Sequence, residues 1–522
     1  MRRKVCVIGA GPSGLVAVKE LLAEGHEVTC FDRNAELGGV FRAGVGADEA
    51  GAYDSTMLTI SQYMMAFSSF PPPHGEERRY WSAGEYRRYL RDFAEKFDVL
   101  PTIRFGTDVV NVAKNDDGGY DVEVAPADAP ENRSVHRFDS VAISTGTHRV
   151  PNYIDLPGQE DFAGEIAHSA HYRNAEPFRG KRVLCVGIGE TAADVVNEIA
   201  QVTESCVLSV RRHQPIVERY PAGRPFTNDA YTSHLLHSVP LAAAGTFMRL
   251  GMNRNRRRGR TAAARTVAAW NAKNPHFFNH FLTKNDAFVH RIVDNTLTVN
   301  ASGIERLGKD YVLFKDGRRE QIDTVMLNTG YVEDFGLLKD TDITDVRRLY
   351  KHMIHPDLGI GVVLIGWARP AAGGVPACSE MQSRYFALLC SGKKKLPDPI
   401  RLRNMIERQA SYENEVFHGN PDLRTLVHYN HYMIDFAEVI GCRPWRPSLL
   451  LDPRLALRLW CGSQTPYVYR LSGPHSSRRA ARRTIMSLPP AFTPLQVLGI
   501  SAVSLASRAL IALGLMKADP LY

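Results

Sequence analysis

Gly9-Ala10-Gly11-Pro12-Ser13-Gly14 and Gly187-Ile188-Gly189-Glu190-Thr191-Ala192 are the two stretches that decide the fold. Each follows a short apolar run, Val5 to Ile8 and Val183 to Val186, and each precedes a helical pattern. A strand, a tight glycine turn and a helix set free backbone N–H groups against a pyrophosphate. One such turn marks one dinucleotide site. Two in one chain imply two dinucleotides held face to face, and electron transfer between them.

Around the first turn the pattern predicts a strand over Lys4–Ile8 and a helix over Gly14–Glu24. Gly25 ends that helix, and a strand over Glu27–Phe31 closes at Asp32. An acid about 20 residues past the glycines suits a ribose hydroxyl pair. Around the second turn a strand over Val183–Val186 precedes a helix over Thr191–Gln201. A further strand, Cys206–Val210, ends at Arg211-Arg212. Two guanidinium groups at that place match a 2′-phosphate, so the second dinucleotide is expected to be NADPH rather than NADH.

Asn115–Gly119 and Pro126–Asn132 read as a surface hairpin turn and a loop. An apolar strand over Ser140–Ser144 ends at Thr145-Gly146, a turn able to approach a cofactor closely. The strand Thr324–Asn328 reaches Thr329-Gly330-Tyr331, after which the first domain resumes. The expected fold class is therefore α/β. Two Rossmann-like dinucleotide-binding domains are joined, the second inserted in the first, with a mostly helical C-terminal extension. The expected boundaries are 1–175 and 331–450 for the first domain, 176–330 for the second, and 451–522 for the extension. Residues 225–290 carry no clear period. Their basic run from Arg254 to Arg260 reads as a solvated face.

The composition agrees with this. The chain has 522 residues, 44% hydrophobic and 23% charged, enough for two or three domains with real cores. A net charge of +8 permits anionic partners, and two nucleotides explain part of it. No zinc-ligand spacing, RNP-like aromatic signature or helix-turn-helix pattern appears, so neither a metal nor a nucleic-acid partner is expected. None of the eight cysteines forms a C-x-x-C pair, which removes support for a dithiol reductase. The N-terminus runs straight into the first strand, and the chain reads as cytoplasmic. From Leu495 to Met516 the sequence is apolar, with arginines at 478, 479, 482 and 483 upstream. Arg508 near mid-span would cost ~2.5–3.5 kcal/mol in a bilayer. A packed or dimer-contact helix is therefore favoured over an interfacial or spanning one.

Between the glycine turns, Phe162-Ala163-Gly164-Glu165-Ile166-Ala167-His168-Ser169-Ala170-His171-Tyr172 fits F-x-G-x-x-x-H-x-x-x-Y. That is the identifying motif of class B flavoprotein monooxygenases, and the chain to about residue 475 resembles their flavin-containing monooxygenase branch. Glu36 to Phe41, Met64 to Pro71, Asn328 to Tyr331 and Tyr469 to Pro474 support the resemblance in the same order. The resemblance implies FAD at the first turn and NADPH at the second. It also implies a C4a-hydroperoxyflavin that passes oxygen to a soft nucleophile, usually nitrogen or sulfur.

Carried over residue by residue, Gly9, Gly11, Pro12, Ser13 and Gly14 match the FAD loop. Asp32 matches the ribose acid, usually Glu. Gly39, Val40 and Phe41 match the segment beside the flavin. Gly187, Gly189, Thr191, Ala192 and Asp194 match the NADP turn, with Arg211 and Arg212 at its phosphate. His168 matches the motif histidine, which serves the domain linker and NADP orientation more than chemistry.

Two departures stand out. Thr59, followed by Ile60, falls where the family usually has the Asn that supports the flavin–oxygen adduct, and a one-residue gap would offer Ser61 instead. Glu190 replaces a common Asn and lies close to the expected NADP phosphates. The function expected is N-oxygenation of an amine, for example the amino group of an amino acid such as aspartate, in bacterial secondary metabolism. Within the class, Baeyer–Villiger or sulfur oxygenation is the alternative. Outside it stand an NADPH oxidase or reductase without oxygen insertion and a non-enzymatic membrane-associated protein.

Overall fold

The computed structural model describes residues 2–46, 49–221, 227–241, 243–246, 249–250, 259, 261–274, 281–338, 341, 343–417, 423–444 and 451–516. Of the basic run, only Gly259 lies among them.

Strand β1 (Lys4–Ile8) is buried from Val5 to Ile8, as an apolar strand covered on both faces must be. Helix α1 (Pro12–Ala23) begins two residues before the expected Gly14, because Pro12 has its φ preset for the first turn. Strand β2 (Glu27–Phe31) pairs in parallel with β1, and β3 (Ile103–Arg104) pairs with β2. A three-stranded antiparallel sheet follows, formed by Thr107–Lys114, Tyr120–Pro126 and Ser134–Phe138. Its first turn spans Asn115–Gly119, as expected. Strand β4 (Ser140–Ile143) then returns to the other side of β1.

The second sheet contains β5 (Glu165–His168), β6 (Arg182–Val186), β7 (Ser205–Ser209), β8 (Thr298–Asn300) and β9 (Thr324–Leu327). Helix α2 (Glu190–Ile199) connects β6 to β7. The strand order is β8-β7-β6-β9-β5, parallel throughout. The chain then re-enters the first sheet with β10 (Val362–Leu364), giving β10-β4-β1-β2-β3, again all parallel. The two crossings between the sheets are themselves paired: Val150–Pro151 lies antiparallel to Tyr331–Val332.

The sequence reading keeps residues up to 175 in the first domain. In the structure Glu165–His168 already pairs with Thr324–Leu327, so the chain has entered the second sheet by then. Phe162 and Ile166 drive this, packing against the core that holds Val325 and Leu327.

Helix α3 (Val375–Cys390) is buried over most of its length and packs on α1, with α4 (Tyr429–Ile440) against it. Arg470 reaches in from the C-terminal part. It bonds Glu20 of α1 at 2.5 Å and Glu380 of α3 at 2.8 Å, all three side chains buried. Burial pushes the Glu20 carboxyl up, but Arg470, Lys19 and Arg384 together outweigh it and hold it at about 2. This cluster accounts for the Tyr469–Pro474 stretch: it fastens the extension to the first domain.

Helix α5 (Pro494–Ala512) opens with a Thr493–Gln496 capping box. Ser504 donates to the Ser238 carbonyl at 2.8 Å, and Val497 and Ile500 pack near Leu235 and Phe492. The contact is a narrow edge, and Leu495, Leu498 and Leu505 are 69–80% exposed. Among the described residues this is one helix long and apolar enough to cross a membrane.

Candidate functional site

One cavity of about 1950 Å³ runs between the two sheets and is lined by both glycine turns. A single small-molecule pocket is about 300–1,000 Å³, so this space suits more than one ligand.

The first cradle is built at the ends of β1 and β4. Gly9 turns at φ +102°, and a Cβ there would lie 2.7 Å from the Ser144 carbonyl oxygen. A Cβ on Gly14 would lie 1.7 Å from the Gly9 carbonyl oxygen, so Gly14 lets helix and strand approach. Gly9, Gly11, Pro12, Ser13, Asp32, Gly39, Val40, Phe41, Thr145 and Gly146 all line the cavity, whereas Gly14 does not. Asp32 accepts the Ala10 N–H at 2.6 Å and the Asn34 N–H at 2.8 Å, which braces the turn. The Asn34 side-chain amide also donates to Oδ1 at 2.8 Å, so it is Oδ2 that keeps a further lone pair for a ribose hydroxyl.

The second cradle repeats the device. A Cβ on Gly187 would lie 2.8 Å from the Asn328 carbonyl oxygen, just as Gly9 faces Ser144 one sheet away. Gly187, Gly189, Glu190, Thr191, Ala192, Arg211 and Arg212 line the cavity, joined by Lys273, Ser302 and Lys315. Glu190 is matched: Lys284 bonds it at 3.0 Å through Nζ and at 3.1 Å through its backbone N–H. The expected repulsion of a phosphate is thereby offset.

Asp194, Ser61 and His168 stand off the cavity wall. Asp194 is not among the cavity-lining residues. It accepts from Tyr53 and Asn285 and pairs with Arg219 at 3.3 Å, because its turn of α2 faces the Tyr53 loop instead of the glycine turn. Ser61 is fully buried outside the cavity. Its Oγ donates to Asp229 at 2.7 Å and accepts from Arg78 at 3.1 Å, while Thr59 and Ile60 do line the cavity. His168 is buried beneath the wall, with ring contacts to Tyr153 at 5.1 Å and Tyr331 at 6.1 Å, one from each inter-sheet crossing. Burial, then His171, lowers its pKa to about 4, so it is neutral at pH 7.

Helices α1, α2 and α3 all begin at the cavity with glycine N-caps and no side-chain cap. Their first-turn N–H groups are left for a ligand. With the clearances at Gly9 and Gly187, the residues present fit a dinucleotide at each cradle. Sequence reasoning missed Lys284, Phe281 and Arg369, which line the same cavity; no motif marks them.

The fold and site define a flavoprotein that takes a hydride from a nicotinamide dinucleotide. The flavin-binding monooxygenase-like family model matches residues 2–515, and the chain belongs to that family. It is 38% identical over 497 residues to a 4-hydroxybenzoate brominase (decarboxylating) from Pseudoalteromonas luteoviolacea (strain 2ta16), covering 94% of this chain and 93% of that one. It is 30% identical to dimethylaniline monooxygenase (N-oxide-forming) 4 from Oryctolagus cuniculus, covering 98% and 92%. Among solved structures, S-allyl-L-cysteine S-oxygenase from Allium sativum superposes with a TM-score of 0.62 at 21% identity, covering 94% and 99%. The protein is thus a flavin-dependent monooxygenase with FAD and NADPH as cofactors.

Proposed function

We propose that this enzyme oxidises a small carboxylate-bearing phenol of the hydroxybenzoate class, with halide as the atom installed, at the expense of NADPH and O₂. The observation that carries the reading is the single cavity joining both glycine turns, together with full-length likeness to hydroxybenzoate brominases at 38% and 36% identity. When bound, FAD supplies hydride acceptance from NADPH and activation of O₂.

The chain's own residues have four tasks in this reading. Gly9 to Ser13 and Asp32 hold the first dinucleotide. Gly187 to Ala192, Arg211 and Arg212 hold the second and select its 2′-phosphate. Ile60, Phe281, Leu282 and Leu337 line the cavity with apolar surface and exclude water from the reacting groups. Thr59 supplies a hydroxyl at the cavity wall where oxygen chemistry needs a donor.

N-oxygenation of an amino acid is the second reading, supported by the likeness to the N-oxide-forming relative. One experiment separates the two. The FAD-loaded enzyme is supplied with NADPH and either 4-hydroxybenzoate plus bromide or aspartate, and products are weighed by mass spectrometry. A brominated, decarboxylated phenol supports the first reading. An oxygenated amine with no brominated phenol supports the second and defeats the first.

A further inference from the structure

Arg369 sits where the two halves of the molecule meet. It lies on the short strand Arg369–Pro370, which pairs with Leu426–Val427 and belongs to the first domain. Its guanidinium carbon lies over the ring of Phe281, 4.3 Å from the centroid, and Phe281 is contributed from within the insertion that completes the second domain. Both residues line the cavity, beside His148, Tyr331 and the uncapped start of α3.

Two other cations that line the cavity are matched: Lys284 with Glu190, and Arg149 with Asp334 at 3.2 Å. Arg369 differs. Among the described residues its guanidinium has no hydrogen bond, and no carboxylate lies within ion-pair distance; Glu190 and Glu333 act on it only from farther away. Burial lowers it to about 10, which leaves it a cation at neutral pH. His148 beside it is held neutral, at about 3, by burial and then by Arg369 itself. A half-buried cation with no anion beside it is costly, and a guanidinium set over an aromatic ring still has its N–H groups to offer a carboxylate.

We propose that Arg369, set on Phe281, is the subsite that receives the carboxylate of the substrate and so selects acids over their neutral analogues. This rests on the proposed hydroxybenzoate reading for the identity of the acid, and the cavity wall of Phe281, Leu282 and Leu423 gives the attached ring an apolar surface.

The test is an equilibrium titration of the FAD-loaded enzyme, read by the flavin spectrum, with 4-hydroxybenzoate and with 4-hydroxybenzamide. It is run for the natural chain, Arg369→Gln, Arg369→Lys and Arg211→Gln, with KM for NADPH measured alongside. The natural chain should bind the acid at least about tenfold more tightly than the amide, one well-made charged hydrogen bond. Arg369→Gln should erase that preference, and Arg369→Lys should restore part of it, a pattern that loss of an interdomain strut does not produce. The proposal is overturned if the natural chain shows no preference for the acid, or if Arg369→Gln keeps it. A kept preference together with a rise in the KM for NADPH like that of Arg211→Gln would make Arg369 a dinucleotide phosphate contact instead. Binding through Arg369 without turnover would defeat the proposed reaction while the subsite stands. Turnover with an unchanged preference in Arg369→Gln would do the reverse.

Discussion

The Ser61 hydroxyl donates to the buried Asp229 carboxylate at 2.7 Å, across a separation of 168 residues. Arg78 completes the group, bonding Ser61 at 3.1 Å and Asp229 at 3.3 Å. The segment carrying Thr59 and Ile60 is thereby tied to the insertion that follows the second glycine turn. Thr59 faces the cavity because Ser61 is held away from it.

This division predicts opposite phenotypes for neighbouring hydroxyls. Thr59→Val should raise the hydrogen peroxide released per NADPH by about tenfold, the effect of one lost donor near developing charge. Ser61→Ala should cost about 1 kcal/mol of stability with a smaller change in peroxide yield. Asp229→Ala strands Arg78 as a buried cation and should cost about 3–5 kcal/mol. Denaturant melts and a peroxide assay measure all three. A larger peroxide yield from Ser61→Ala than from Thr59→Val would reverse the assignment.

Gly14→Ala should cost flavin. The added methyl would meet the Gly9 carbonyl at 1.7 Å, so helix and strand must separate, a strain of about 1–3 kcal/mol. The purified variant should carry less flavin per chain, by absorbance, and melt earlier. Full occupancy with an unchanged melt would show that the turn yields freely.

Lys284 and Glu190 should behave as a pair. Lys284→Met leaves the Glu190 carboxylate uncompensated at the start of α2, and KM for NADPH should rise about tenfold, roughly 1.4 kcal/mol. Glu190→Gln added to it should recover most of that loss. Additive losses in the double variant would mean that the two side chains act separately.

Acid should weaken the fold through two histidines that it holds neutral, His148 at the cavity and the buried His168. Unfolded histidine titrates near 6.5. His148 and His168 are held at about 3 and about 4 in the folded chain, chiefly by burial. Between pH 6.5 and 4 the unfolded chain takes up protons that the folded one refuses, so stability falls as pH falls through that window. His148→Gln should flatten the decline of Tm between pH 7 and 5. An equally steep decline would assign the acid sensitivity to other groups.

Both cradles were legible in the sequence because their chemistry is a backbone property: only glycine takes φ +102° at position 9 or +93° at position 187. Arg211 and Arg212 were legible by position, at the end of a strand two residues from its last ladder pair at Ser209. Ser61 and Asp194 were misread because their partners, Asp229 and Tyr53, are remote in sequence and announce themselves by no motif. Arg369 was missed for the same reason. Its meaning comes from a ring on the other domain and from the anion it lacks, neither of which a linear pattern records. The crossing at 150 and 331 was half seen: Tyr331 marked the return, but the outward crossing is fixed by Phe162 and Ile166 packing on the second sheet.

Both glycine turns open on one cavity, where the two dinucleotides would meet. Anaerobic mixing of the FAD-loaded enzyme with NADPH, followed at the flavin absorbance band, tests it most directly. NADPH should bleach the bound flavin, much faster than NADH does, and more slowly when Arg211 and Arg212 are replaced by glutamine. A flavin that dithionite reduces and NADPH leaves oxidised would contradict it.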